Sequence, residues 1–231
     1  MRTPLPLRQP LPVHQRRVVH QVASLLLGYP DDELLARLPL LRAAVAGLRP
    51  AAAAPLSRML EHLAGTPPER LRADYVETFD LRRRCCLYLT YYTHGDTRRR
   101  GLALLRFTRA YRAAGMDPVE SELPDHLAVV LEFAATGDPD SGDRLLREHR
   151  AGLELLRLSL QEAGSPYADV LVAVGATLPE VDARNREAVL RLARSGPPTE
   201  EVGLDPYGGE AFAPPEAMGT TTGAATRGAG R

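Results

Sequence analysis

The chain is expected to be all-α, a single multi-helix, bundle-like domain with disordered termini. Apolar residues recur at three- and four-residue spacing in segment after segment, and no stretch sustains the two-residue alternation of a strand. Between the apolar stripes stand Gly, Pro, Asp, Ser and Thr, where helices stop and start. No repeat of fixed period is visible. The expected organisation is a proline-rich flexible arm over 1–13, a helical domain over 14–195 and a Gly/Pro-rich disordered tail over 196–231.

The arm carries four prolines and reads as extended. A first helix spans about His14 to Leu27, with Val18, Val22, Leu25 and Leu26 at helical spacing and Gly28 and Pro30 ending it. Asp31-Asp32 can cap the next helix, whose stripe is Leu34, Leu35, Leu38, Leu41, Val45 and Leu48. Pro39 inside that stripe kinks or divides it. A short helix then places Leu56, Met59, Leu60 and Leu63 inward, closed by Gly65. In Thr66-Pro67-Pro68-Glu69, Thr66 is the expected cap, Pro67 the first helical residue and Glu69 the partner of a capping box. The helix it opens carries Leu71, Tyr75 and Phe79 on one face.

The run from Cys85 to His94, CCLYLTYYTH, reads as helix, with strand as the alternative because it is rich in aromatic and β-branched residues. Gly95 breaks it. Asp96 or Thr97 then caps a long helix through Ala114, one face marked by Leu104, Leu105, Thr108 and Tyr111, with Gly115 as its C-terminal cap. Ser121 to Ala135 reads as a helix with Leu127, Val130, Leu131 and Ala134 inward. The loop at Gly137 to Gly142 leads into one long helix through Ala163, striped by Leu145, Leu146, His149, Leu153, Leu156 and Leu160. Ser165-Pro166 starts a helix to about Leu178, and a last one fits Val181 to Arg194. The 36 residues from Gly196 hold eight glycines and five prolines, too little apolar surface to offset ordering entropy, although Leu204 to Phe212 could dock on the body.

Composition narrows the function classes. With 29 basic and 29 acidic residues the formal net charge is zero, which argues against nucleic acid or an anionic membrane as the main partner. Every basic residue besides histidine is arginine, so GxxxxGK[ST] is impossible, and GxGxxG is absent too. The histidines form no HExxH and no zinc spacing with the adjacent Cys85-Cys86, which read as small buried hydrophobes. No serine sits in a nucleophile setting. No catalytic residue, metal or cofactor is expected. The N-terminus lacks the apolar core of a signal peptide, no run approaches a membrane span, and two adjacent cysteines make no disulfide framework, so a cytoplasmic protein is expected.

The densest stretch is Tyr75 to Gly101, where four tyrosines, a phenylalanine, both cysteines and six arginines fall within one segment of an aromatic-poor chain. Arg98-Arg99-Arg100 is expected to be a solvated face or to pair with acids such as Glu77 and Asp80. Tyr75, Phe79, Tyr88, Tyr91, Tyr92 and Tyr111 suit either a core or the lining of a peptide groove. In ELPDH, helix initiation explains Ser121, Glu122, Pro124 and Asp125, but not His126.

YVETFD, then HGDTRRRG, then ELPDHL, with LLLGYPD at Leu25 to Asp31, resembles the NarJ family of nitrate reductase molybdenum cofactor assembly chaperones (delta subunit). The resemblance runs over most of residues 18–195. It implies the all-helical TorD/DmsD/NarJ redox-enzyme chaperone fold, no enzymatic activity and no permanent cofactor. The implied partner is the catalytic (alpha) subunit of a respiratory nitrate reductase, held by its N-terminal segment during molybdenum cofactor and iron–sulfur insertion. The cofactor delivery machinery is a further implied partner. A chaperone of this fold for another molybdoenzyme, such as a dimethyl sulfoxide or trimethylamine oxide reductase, is the alternative. The expected client-binding residues are Tyr75, Phe79, Asp80, Tyr88, His94, Glu122, Asp125 and His126. Tyr91-Tyr92 stand where many relatives carry an acid before HG.

Overall fold

The computed structural model describes residues 11–95, 97–117 and 122–179, with the isolated positions 187 and 190. The expected last helix over 181–194 lies outside this range apart from those two positions. Most of the arm and the whole tail, including 204–212, also lie outside it, as do the candidate caps Asp96 and Ser121. The described residues are helical throughout, with no strand longer than a single bridge.

Eleven α-helices are described: α1 (Val13–Leu26), α2 (Asp32–Ala36), α3 (Leu38–Ala46), α4 (Pro50–Gly65), α5 (Pro68–Tyr75), α6 (Leu89–His94), α7 (Arg99–Ala113), α8 (Leu127–Thr136), α9 (Pro139–Glu148), α10 (Arg150–Glu162) and α11 (Tyr167–Thr177). Between α5 and α6 lie a π turn (Val76–Asp80) and a 3-10 turn (Arg83–Cys85). Helix α1 packs on α8 and α11, α11 also on α4 and α10, and α8 on α9. Their buried faces form one core in which Val19, Ala23, Leu26, Leu56, Met59, Leu131, Leu146, Leu156 and Val170 are closed to solvent. Leu11, ahead of α1, belongs to the same core.

Most boundaries follow from local chemistry. Asp31 caps α2 by accepting from the Leu34 amide at 2.8 Å, and Pro39 divides the stripe by taking the second position of α3. Asp138 caps α9 through the amides of Asp140 and Ser141. Gly95, Gly115 and Gly164 all have positive φ.

Five expectations are corrected. The capping box at Thr66 does not form: Pro67 is extended (φ −56°, ψ 140°), because the residue before a proline is driven from the α region, so α5 begins at Pro68. The Thr66 hydroxyl turns back towards His62 Nδ1 instead. The helix expected from Ser121 begins only at Leu127, after a turn. The long helix through Ala163 is two, separated at His149 (φ −100°, ψ 17°). The run at Cys85 to His94 is part 3-10 turn, part antiparallel bridge and part helix. Ser165 gives α11 no side-chain cap. Helix α7 buries Phe107 and Tyr111, whereas Leu105 is 46% exposed.

Candidate functional site

The motif segments of the sequence meet in two clusters. In the first, α5 runs straight into the π turn, whose wider winding carries Leu81 N–H to Val76 O at 3.2 Å. Leu71 and Thr78 are buried beneath it, while Tyr75 and Phe79 are half-buried and Asp80 is exposed. The Tyr75 ring lies 4.8 Å from Phe79, 5.5 Å from Tyr29 and 5.8 Å from Tyr167, and Phe79 lies 4.8 Å from Tyr167. These edge-on and tilted contacts are the favoured geometry for aromatic pairs. The Tyr75 hydroxyl donates to Leu27 O at 3.0 Å and so ties YVETFD to the LLLGYPD loop. Tyr29 remains 48% exposed, and Val76 and Leu81 add exposed apolar surface on the same turn. Beside Tyr167 is a cavity of about 190 Å³, bordered also by Leu71, Asp74, Thr78 and Ser165. The buried Ser165 Oγ has no hydrogen-bond partner among the described residues.

In the second cluster, the turn at 122–126 pairs with the start of α6. Leu89 N–H donates to Asp125 O at 3.1 Å and Leu127 N–H to Leu87 O at 2.8 Å, making a two-residue antiparallel bridge between Tyr88 and His126. The Asp125 carboxylate, fully buried, accepts from the Thr90 amide at 3.0 Å and the Thr90 hydroxyl at 2.6 Å, capping α6 from a distant part of the chain. The Tyr88 hydroxyl donates to Glu122 Oε1 at 2.9 Å, its ring meets His126 edge-on at 5.3 Å, and the Arg100 guanidinium lies 5.4 Å from its centroid. Arg100 Nε also donates to Thr90 Oγ1 at 3.1 Å, and the guanidinium comes within 3.9 Å of Asp125. Tyr111 Oη donates to Pro124 O at 2.5 Å.

Electrostatics join the two clusters. Burial first, then the charges of Asp80 and Glu122, holds the Tyr75 hydroxyl well above its usual range. Burial, followed by the hydrogen bond to Glu122, pushes Tyr88 up to about 12. Burial pushes the His126 imidazole down against the opposing pull of Glu122 and Asp125. Both hydroxyls therefore stay protonated donors at neutral pH.

Of the expected residues, Tyr75, Phe79 and Asp80 fall in the first cluster and Tyr88, Glu122, Asp125 and His126 in the second. Asp125 is placed as an internal cap with no solvent exposure, so its carboxylate is not available to a client at the surface. The reason is that the α6 terminus claims it. His94 ends α6, where its carbonyl accepts from Thr97, and no hydrogen bond or ring contact joins its imidazole to either cluster among the described residues. Arg100 approaches an acid as expected for Arg98 to Arg100, but that acid is the buried Asp125 rather than Glu77 or Asp80, and the guanidinium lies over Tyr88; Arg82 pairs with Glu77, at 2.5 Å. Tyr29 joins the site from a loop and Tyr167 from the start of α11, both far away in sequence. Tyr29 lies in LLLGYPD, a motif already apparent; nothing local to Tyr167 indicates its partners.

No group of three or more His, Cys, Asp or Glu side chains among the described residues could hold a metal ion, and Cys85 and Cys86 form no disulfide there. The fold and surface define an all-helical protein with a half-open aromatic patch rimmed by carboxylates. Residues 45–173 match the family described as nitrate reductase delta subunit, and the chain belongs to that family. It is 33% identical over 162 residues to the probable nitrate reductase molybdenum cofactor assembly chaperone NarJ of Bacillus subtilis, covering 70% of this chain and 88% of that protein. It is 46% identical over 154 residues to the nitrate reductase-like protein NarX of Mycobacterium tuberculosis, covering 67% of this chain but only 23% of NarX. Its fold is shared with a putative redox enzyme maturation protein from Archaeoglobus fulgidus, at a TM-score of 0.51 and 24% identity over 77% of this chain and 93% of that one.

Proposed function

We propose that this chain is a cytoplasmic assembly chaperone for a respiratory nitrate reductase. It binds the N-terminal segment of the catalytic subunit and holds that subunit open for molybdenum cofactor and iron–sulfur insertion. The observation that carries this reading is the match with NarJ of Bacillus subtilis along 88% of that protein's length. The geometry supports it. Tyr29, Tyr75, Phe79 and Tyr167 offer rigid, amphipathic rings at a surface, the recurring chemistry of peptide anchoring. Asp80 and Glu122 set negative charge at its rim, suited to basic residues flanking an apolar segment. Asp125, Thr90 and Arg100 act as positioning residues that hold the Tyr88–Glu122 side of the patch. No chemical step is assigned to any side chain.

A chaperone of this kind has to release its client, so an affinity of about 10 μM to 10 nM is expected. Isothermal titration with a synthetic client N-terminus should show one site in that range. Phe79→Ala and Asp80→Ala should each weaken binding by about tenfold, as for a moderate interface anchor, while helical circular dichroism is retained. Absence of heat at saturating peptide would refute the assignment. Preferential binding of the leader of another molybdoenzyme would transfer the client role to that enzyme.

A further inference from the structure

We propose that the outward face of α7 is a docking surface for an anionic lipid bilayer. The helix holds five arginines and no acid. Phe107 and Tyr111 are buried and define its inner side, to which Arg100 also turns. At about 100° per residue, Leu102 and Leu105 fall on the opposite side, with Arg99, Arg109 and Arg112 beside them. All five are exposed, Leu102 at 71%. Arg106, on the same side, is bonded to Glu148 at 2.9 Å and so is partly neutralised.

Two leucines standing clear of a single helix form a convex ridge. A folded protein partner would need a groove shaped to receive it, whereas a bilayer deforms around it. Flanking arginines lay their methylene stems along such a surface and keep their charge at the headgroups. The neutral net charge argues against a bilayer as the main partner but leaves room for this local contact, since screening over about 8 Å at physiological salt gives the nearest charges the greatest weight. The inference is independent of the client reading, as α7's outer face shares no residue with the aromatic patch.

Co-sedimentation of the full chain with vesicles tests it. Binding is expected to an even mixture of phosphatidylglycerol and phosphatidylcholine, not to phosphatidylcholine alone, and to weaken as salt rises. Arg109→Gln and Arg112→Gln should each lower partitioning by about fivefold. The pair Leu102→Ser with Leu105→Ser should weaken it while leaving the salt dependence in place. Circular dichroism and thermal melting verify that the variants fold. Failure to sediment with anionic vesicles at low salt would overturn the proposal, as would undiminished partitioning of folded arginine variants. Capture by an acidic, apolar peptide with vesicles left unbound would assign the ridge to a protein partner and overturn it equally.

Discussion

Four tyrosine hydroxyls tie separate segments together: Tyr75 to Leu27 O, Tyr88 to Glu122, Tyr92 to Cys86 O at 2.8 Å, and Tyr111 to Pro124 O. Whether these rings line a core or a groove is answered residue by residue: Tyr92 and Tyr111 are core, while Tyr75 and Tyr88 are half-buried with one face towards the surface. Asp125 follows the same logic in reverse, as an acid withdrawn from the surface to satisfy a helix end. Asp125→Ala strands the Thr90 amide and hydroxyl and should cost about 1–3 kcal/mol in urea unfolding. Asp125→Asn, which keeps one acceptor oxygen, should cost less. Equal stability of the alanine variant and the native chain would show that the cap contributes nothing.

At the scale of elements, local signals place helix ends well where a side chain or a proline acts within its own turn, as at Asp31, Pro39 and Gly115. They fail where a distant partner intervenes. ELPDHL has the composition of a helix start, yet it is an irregular turn because its Asp125 and its backbone are used by α6. The contact of α8 with α9 is set by Gly142, where an added Cβ would come 2.4 Å from both Ala134 Cα and Cβ. Backbone lies on that side, so there is no flexible side chain to yield. Gly142→Ala should therefore destabilise the fold by about 1–3 kcal/mol, the usual cost of overpacking, measured as a lower denaturation midpoint. A midpoint unchanged from the native chain would mean that the two helices slide apart freely.

For the whole molecule, pH tests how tightly the core is closed. His20 lies on α1 with 1% exposure, its Nε2 2.9 Å from Thr177 Oγ1 on α11. That hydroxyl donates to Val174 O, so it accepts from the imidazole, which is neutral. Burial, then Arg16, pushes the His20 pKa down from 6.5 to about 4. Between those values the unfolded chain binds the proton and the folded chain does not, so stability rises with pH across the window. It is fully present above about 6.5 and is lost as pH falls, by about 3 kcal/mol at pH 4. Burial displaces His126 and His149 in the same direction. His20→Gln should flatten the dependence of unfolding free energy on pH between 4 and 6.5; an unaltered slope would show that other groups produce it.

The sequence by itself determined the helical class, most helix positions and the residues of the three motifs, because helical periodicity, prolines, glycines and caps act over a few residues. It drew attention to Tyr75, Phe79 and Asp80 through the YVETFD motif but left open whether the rings were core or groove, because burial depends on partners remote in sequence. Only the tertiary structure decided that Asp125 points inward, that Arg100 leaves its solvated neighbours to cover Tyr88, and that Tyr29 and Tyr167 complete the aromatic patch. It also separated the charges of a neutral chain, leaving carboxylates beside the aromatics and arginines along α7. These features depend on which side chains from remote segments compete for the same hydrogen-bond donor or the same buried volume. No local pattern records the outcome of that competition.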